Sequence, residues 1–223
     1  MHELDTAPDP NPNSKISILF EEEVANSISH GLGLLLALGM VPMLVLSAMR
    51  IGSIHFLVGV SVFGATLVLL YLASTLYHSV RHERAKLFFR LFDHSAIFLL
   101  IAGSYTPFAL GVLRGPWGWT LLTIVWFLAV VGITVKAVVG LRHSWISMTL
   151  YLLMGWLALV AAKPILTLIP LPGIVLILAG GIAYTGGLAF LAARRFRYGH
   201  FIWHLFVILG TICHFFAVLW YAA

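Results

Sequence analysis

Charged residues are so sparse in this chain that they cut it into seven uncharged stretches, each long enough to cross a bilayer. After Glu21, Glu22 and Glu23, the runs free of Asp, Glu, Lys and Arg are Val24–Met49, Ile51–Val80, His94–Leu113, Gly115–Val135, His143–Ala162, Pro164–Ala193 and Tyr198–Ala223. A helix rising about 1.5 Å per residue needs roughly 20 residues to cross a hydrocarbon core of about 30 Å, and every run reaches that length. Lipid offers no partner to bare backbone amides, so such runs fold as helices. The expected fold is an all-α membrane protein, a seven-transmembrane helix bundle with helices near 24–49, 54–79, 93–113, 116–136, 143–162, 173–193 and 200–222 in one domain spanning 15–223. With 61% hydrophobic and 9% charged residues, the chain is too apolar for a soluble domain of its size.

Residues 1–14 are polar, carry Pro8, Pro10 and Pro12, and lack the basic start and apolar stretch of a cleaved signal peptide; they are expected to be a disordered cytosolic tail. With the N-terminus in the cytosol, that side holds Lys15, Arg81, Arg84, Lys86, Arg90, Lys136, Arg142, Arg194, Arg195 and Arg197, against Arg50, Arg114 and Lys163 outside. Ten against three fits the positive-inside bias and puts the C-terminus outside. The net charge of +5 therefore reflects topology and not nucleic-acid binding, since the basic residues are scattered between apolar runs. The single cysteine, Cys213, lies within the last run and reads as a buried, inert thiol. Nothing in the sequence points to a protein partner.

Ionisable groups at membrane depth are costly and normally face the bundle interior with a partner. Asp93 is the last acidic residue, so any carboxylate for the histidines of helix seven comes from the first 93 residues. Counting crossings brings the start of helix one, the end of helix two, the start of helix three and the start of helix seven to one face of the membrane. Those places hold Glu23, Asn26 and His30; Ser74 and His78; Asp93 and His94; and His200 and His204. His200 and His204 are four apart, so they project from one helical face about one turn apart. Three neutral imidazoles, from His78, His200 and His204, would leave the fourth position of a zinc ion to water, whose pKa falls towards about 7. Asp93 beside it could act as general base and then as general acid. Ser74, one turn deeper than His78 on the same face, can reach into the site or hydrogen-bond a nearby water or carbonyl. Such a site suits cleavage of an amide or ester bond where a lipid's acyl chain meets its polar head, for example the amide of a ceramide.

These motifs also match a known pattern. Glu23-x2-Asn26-x3-His30, Ser74-x3-His78, Leu91-Phe92-Asp93-His94-Ser95, Gly103-Ser104-Tyr105-Thr106-Pro107-Phe108 and His200-x3-His204 resemble the hemolysin III branch of the progestin and adipoQ receptor family, related to the adiponectin receptors and alkaline ceramidases. The resemblance runs from Ser17 onward. It implies seven helices with a cytosolic N-terminus, multi-pass in a bacterial plasma (inner) membrane, zinc on His78, His200 and His204, and Asp93 on the metal-bound water.

Blander roles stand beside these. The histidines could be interfacial, Asp93 could pair with Arg90 or cap helix three, and Glu23, Asn26 and His30 could steady helix one or orient a ligand. His214 reads as an interhelical hydrogen-bond donor or acceptor and Pro107 as a kink. Two functional classes follow: a zinc-dependent lipid hydrolase concerned with membrane lipid homeostasis, or a non-catalytic sensor or membrane-permeabilising protein with structural zinc.

Overall fold

A computed structural model of the chain describes residues 12–140, 144–193 and 196–223. They form helices α1 (Pro12–Ile51), α2 (Ile54–Ser79), α3 (Glu83–Leu110), α4 (Pro116–Val139), α5 (Ser144–Gly155), a 3-10 segment (Leu157–Ala161), α6 (Ala162–Leu168), α7 (Leu171–Ala192) and α8 (Gly199–Tyr221). Seven spans are long and apolar enough to cross a membrane, with α5, the 3-10 segment and α6 together making the fifth. No strand occurs among the described residues. Residues 1–11 of the expected tail lie outside the described residues, and Pro12–Ser14 belong to the first turn of α1.

The spans close into a ring. Each packs on its neighbour in sequence, and α1 meets α8 to complete the circle. The outside is apolar, with Leu35, Val130, Leu153, Ile182 and Leu209 all exposed, the surface a protein needs when its solvent is hydrocarbon. α2 is the most enclosed span. Its buried stripe runs Phe56, Val60, Phe63, Leu67, Tyr71, Ser74 and His78, the three-and-four spacing of one helical face. His78 therefore points inward because it ends the stripe that packs the core. Close approach of α3 requires Gly59, where an added Cβ would lie 2.8 Å from the Pro107 Cα.

Three boundaries differ from those expected. α1 begins at Pro12, twelve residues before 24, because Glu21, Glu22 and Glu23 end an uncharged run but not the helix. α3 begins ten residues earlier than residue 93, because Glu83–Arg90 continue the helix with charges that end an uncharged run but not a helix. The fifth span breaks after Gly155, upstream of Pro164, whose ring cannot follow a regular turn but is tolerated in the first turn of α6. The broken turn finds its partners in α3. The Tyr105 hydroxyl donates towards the Met154 and Gly155 carbonyls, each at 2.9 Å, and accepts from the Ala158 amide at 3.0 Å. α3 itself runs helical through Pro107.

Candidate metal centre

Three histidines converge at one end of the ring. His78, His200 and His204 each offer a ring nitrogen, and these atoms all lie within 4.8 Å of one another. Their ring centroids are 4.9 Å apart for His78 and His200, 5.1 Å for His78 and His204, and 4.7 Å for His200 and His204. Two tetrahedral Zn–N bonds of about 2.05 Å place their nitrogens about 3.3 Å apart, a spacing within the 4.8 Å that bounds this set.

The protons on two of these rings are fixed by α1. The Glu23 carboxylate lies 3.1 Å from His78 Nδ1 and also accepts from Lys86 Nζ at 2.8 Å. A carboxylate accepts, so Nδ1 carries the proton and the Nε2 lone pair is left over. That Nε2 is buried and has no hydrogen-bond partner. His204 Nδ1 faces the Asn26 carbonyl at 3.2 Å and the Ser29 hydroxyl at 3.0 Å, while Ser29 donates to the same carbonyl at 2.9 Å. Nδ1 is again the donor. A buried, unpartnered His78 Nε2 in a group with ring nitrogens of His200 and His204 suits a cation, and this is the observation on which the residues fit a metal ion.

The other expected site residues take different places. His30 lies flat against His204, with centroids 3.5 Å apart and planes 9° apart, and meets the edge of Tyr71. It is a packing plate for a ligand ring and lies outside the three-histidine group. Asn26 contributes its backbone carbonyl, while its buried side-chain oxygen is unpartnered. Ser74 is fully buried one turn from His78 and its hydroxyl makes no hydrogen bond to a described group.

Asp93 is buried too, on the wall of a cavity that His30, His200 and His204 also line. Its carboxylate is not within the ligand group, and its nearest basic atom among the described residues is His94 Nδ1 at 3.7 Å. Neither bland reading of Asp93 holds: it makes no ion pair with Arg90 among the described residues, and it cannot cap α3, which starts at Glu83. His214, further along α8, places Nε2 3.3 Å from the Ile177 carbonyl of α7, an interhelical contact.

The cavity holds about 350 Å³. It opens against the histidines and continues between α3, the broken fifth span, α7 and α8, past Leu100, Tyr105, Leu121 and Ile169. Beyond the polar end its walls are largely aliphatic and aromatic. Ser29, missed in the sequence, could have been found there: it is three residues after Asn26, hence on the same face of α1.

Comparison with known proteins gives a consistent picture. The family model described as Haemolysin-III related matches residues 18–215. Hemolysin-3 of Bacillus cereus is 44% identical, over 93% of this chain and 95% of its own length. A Hemolysin-3 homolog of Bacillus subtilis (strain 168) is also 44% identical, over 90% of this chain and 94% of its own. The human Monocyte to macrophage differentiation factor is 25% identical over 70% of this chain and 67% of its own.

Proposed function

The chain belongs to the Haemolysin-III related family of multi-pass membrane proteins, and from that premise we propose that it is a zinc-dependent hydrolase of a lipid amide or ester bond. The observation that carries this reading is the set of three convergent imidazoles, two with fixed tautomers, of which His200 and His204 line a largely apolar cavity that also presents the buried Asp93 carboxylate. His78, His200 and His204 would hold the metal. Zinc bound there supplies a Lewis acid that polarises the scissile carbonyl and makes hydroxide available near neutral pH. The aliphatic cavity takes the acyl chain and excludes bulk water. Asp93 accepts a proton from the attacking water and returns it to the departing amine or alcohol, so a C–O bond forms as the C–N or C–O bond to the head breaks. Ser74 steadies polar groups at the same depth. With the N-terminus cytosolic, the site sits near the inner leaflet of a bacterial plasma membrane.

A second reading comes with the relatives' name, which speaks of haemolysis: a non-catalytic sensor or membrane-permeabilising protein with structural zinc. A structural site normally uses four protein ligands, and a pore needs polar lining through its full depth, whereas polar groups here gather at one end. The purified protein is expected to contain about one zinc per chain. Asp93→Asn should keep that metal while fatty-acid release from a ceramide, followed by mass spectrometry, is lost. Turnover equal to wild type in that variant removes Asp93 from the mechanism. Leakage from liposomes that His204→Ala leaves untouched favours the lytic reading.

A further inference from the structure

The histidine cluster leaves one buried charge in the same cavity unused. Lys136 lies in the last turn of α4, where lysines usually extend their ammonium group to the membrane surface. This one does not. It is 2% exposed, lines the cavity, and among the described residues its Nζ has one hydrogen bond, to the Ser147 hydroxyl of α5 at 3.2 Å. Service to the α4 carbonyl ends does not explain it, since Nζ bonds no backbone carbonyl among the described residues. An ammonium has three donors, and the described residues take one of them.

No carboxylate among the described residues neutralises it. Among the described residues no acidic oxygen lies within 4.0 Å of Nζ. Glu23 is engaged by His78 and Lys86, and Glu21 by Arg197 and Tyr198. Asp93 shares the cavity but lies beside His94, and beyond it the sequence has no acid at all. Arg90, exposed at the cavity rim, adds a second positive charge and likewise has no acidic partner among the described residues.

We propose that Lys136, Ser147 and Arg90 form a receptor for the oxyanion, carboxylate or phosphate, of an acyl-chain lipid whose tail fills the rest of the cavity. An ammonium and a hydroxyl side by side bind an oxyanion by charge-assisted hydrogen bonds, and Arg90 steers it inward. The aliphatic walls deeper in the bundle match the tail. The oxyanion therefore anchors the lipid's polar end on the cavity that Lys136 shares with His200 and His204. This rests on the lipid reading of the cavity but needs neither zinc nor turnover.

The test uses the full chain in neutral detergent with chelator present, so that hydrolysis is off, and counts bound lipid by native mass spectrometry. Oleate is compared with oleyl alcohol, and dioleoyl phosphatidate with dioleoylglycerol; the pair that discriminates tells carboxylate from phosphate. Wild type is expected to retain at least one charged lipid about tenfold more strongly than its neutral mate. Lys136→Met should erase that preference and Lys136→Arg should keep most of it. Equal retention of charged and neutral lipids by wild type overturns the proposal, as does an unchanged preference in Lys136→Met. Should Lys136→Met fail to fold, Arg90→Gln at the rim decides: a loss of about threefold is expected, and no loss counts against the receptor. A charge preference without lipid hydrolysis in chelator-free samples would sink the enzyme reading alone.

Discussion

Glu23 offers the sharpest test of how the centre is built, because it touches the candidate metal site only through the remote nitrogen of His78. Its carboxylate fixes the Nδ1 proton at 3.1 Å and so turns the Nε2 lone pair towards His200 and His204. Partners of this kind are worth about 10- to 100-fold in metal affinity, or roughly 1.4 to 2.7 kcal/mol. Glu23 keeps 35% of its side-chain exposure, so solvent screens part of its charge and the lower half of that range applies. Glu23→Gln preserves an acceptor but not the charge and should weaken zinc about tenfold; Glu23→Ala leaves Nδ1–H unpaired and should weaken it about 30-fold. Lys86→Met removes the other partner of the same carboxylate, 2.8 Å away, and should change affinity by less than about threefold. The measurement is competition for zinc against a fluorescent chelator in detergent. Glu23→Ala binding within twofold of wild type would refute the account, and so would a larger loss in Lys86→Met than in Glu23→Gln, which would make Glu23 a surface ion-pair residue.

Two further outcomes follow from the geometry. Tyr105→Phe removes the hydroxyl that serves the backbone of the broken fifth span, leaving the Ala158 amide and the Met154 and Gly155 carbonyls without it; a loss of about 1 to 3 kcal/mol is expected in a dodecyl sulfate unfolding titration, and an unchanged midpoint would show that the break does not depend on α3. Zinc at about a hundred times its dissociation constant should stabilise the folded chain by about 2.7 kcal/mol, read from the fluorescence of its seven tryptophans. Chelation should abolish that gain in wild type and change nothing in His204→Ala.

The spans were legible because a bilayer imposes one length on every crossing, and uncharged runs report that length directly. Where a helix leaves the hydrocarbon the rule loses force: Glu83–Phe92, charged up to Arg90, extend α3 by ten residues. The break after Gly155 was hidden for another reason. Its compensating group, Tyr105, is fifty residues earlier in the chain, and a sequence shows Pro164 but not what satisfies the carbonyls it disturbs. In the site, the convergence of His78, His200 and His204 could be read because crossing parity fixes which helix ends meet. Parity says nothing about rotation around a helix axis. It therefore left open whether Asp93 would join the ligands, and the structure sets it on the cavity wall. Lys136 read as a topological charge for the same reason, since only its rotation inward and its bond to Ser147 mark it as a cavity residue.

α1 shows what rotation adds. It supplies no ligand, yet Glu23 and Asn26, three residues apart on one face, meet the outer nitrogens of His78 on α2 and of His204 on α8. Each contact holds a proton on the far side of its ring, and His30, four residues further on, stacks against His204. Without α1 in this register either ring could turn a protonated nitrogen towards the centre, where it would repel a cation. Closure of the seven-span ring by α1 against α8 is thus also the step that orients His78 and His204, so under the proposed metal reading the packing of the first helix and the affinity for the ion would be one equilibrium.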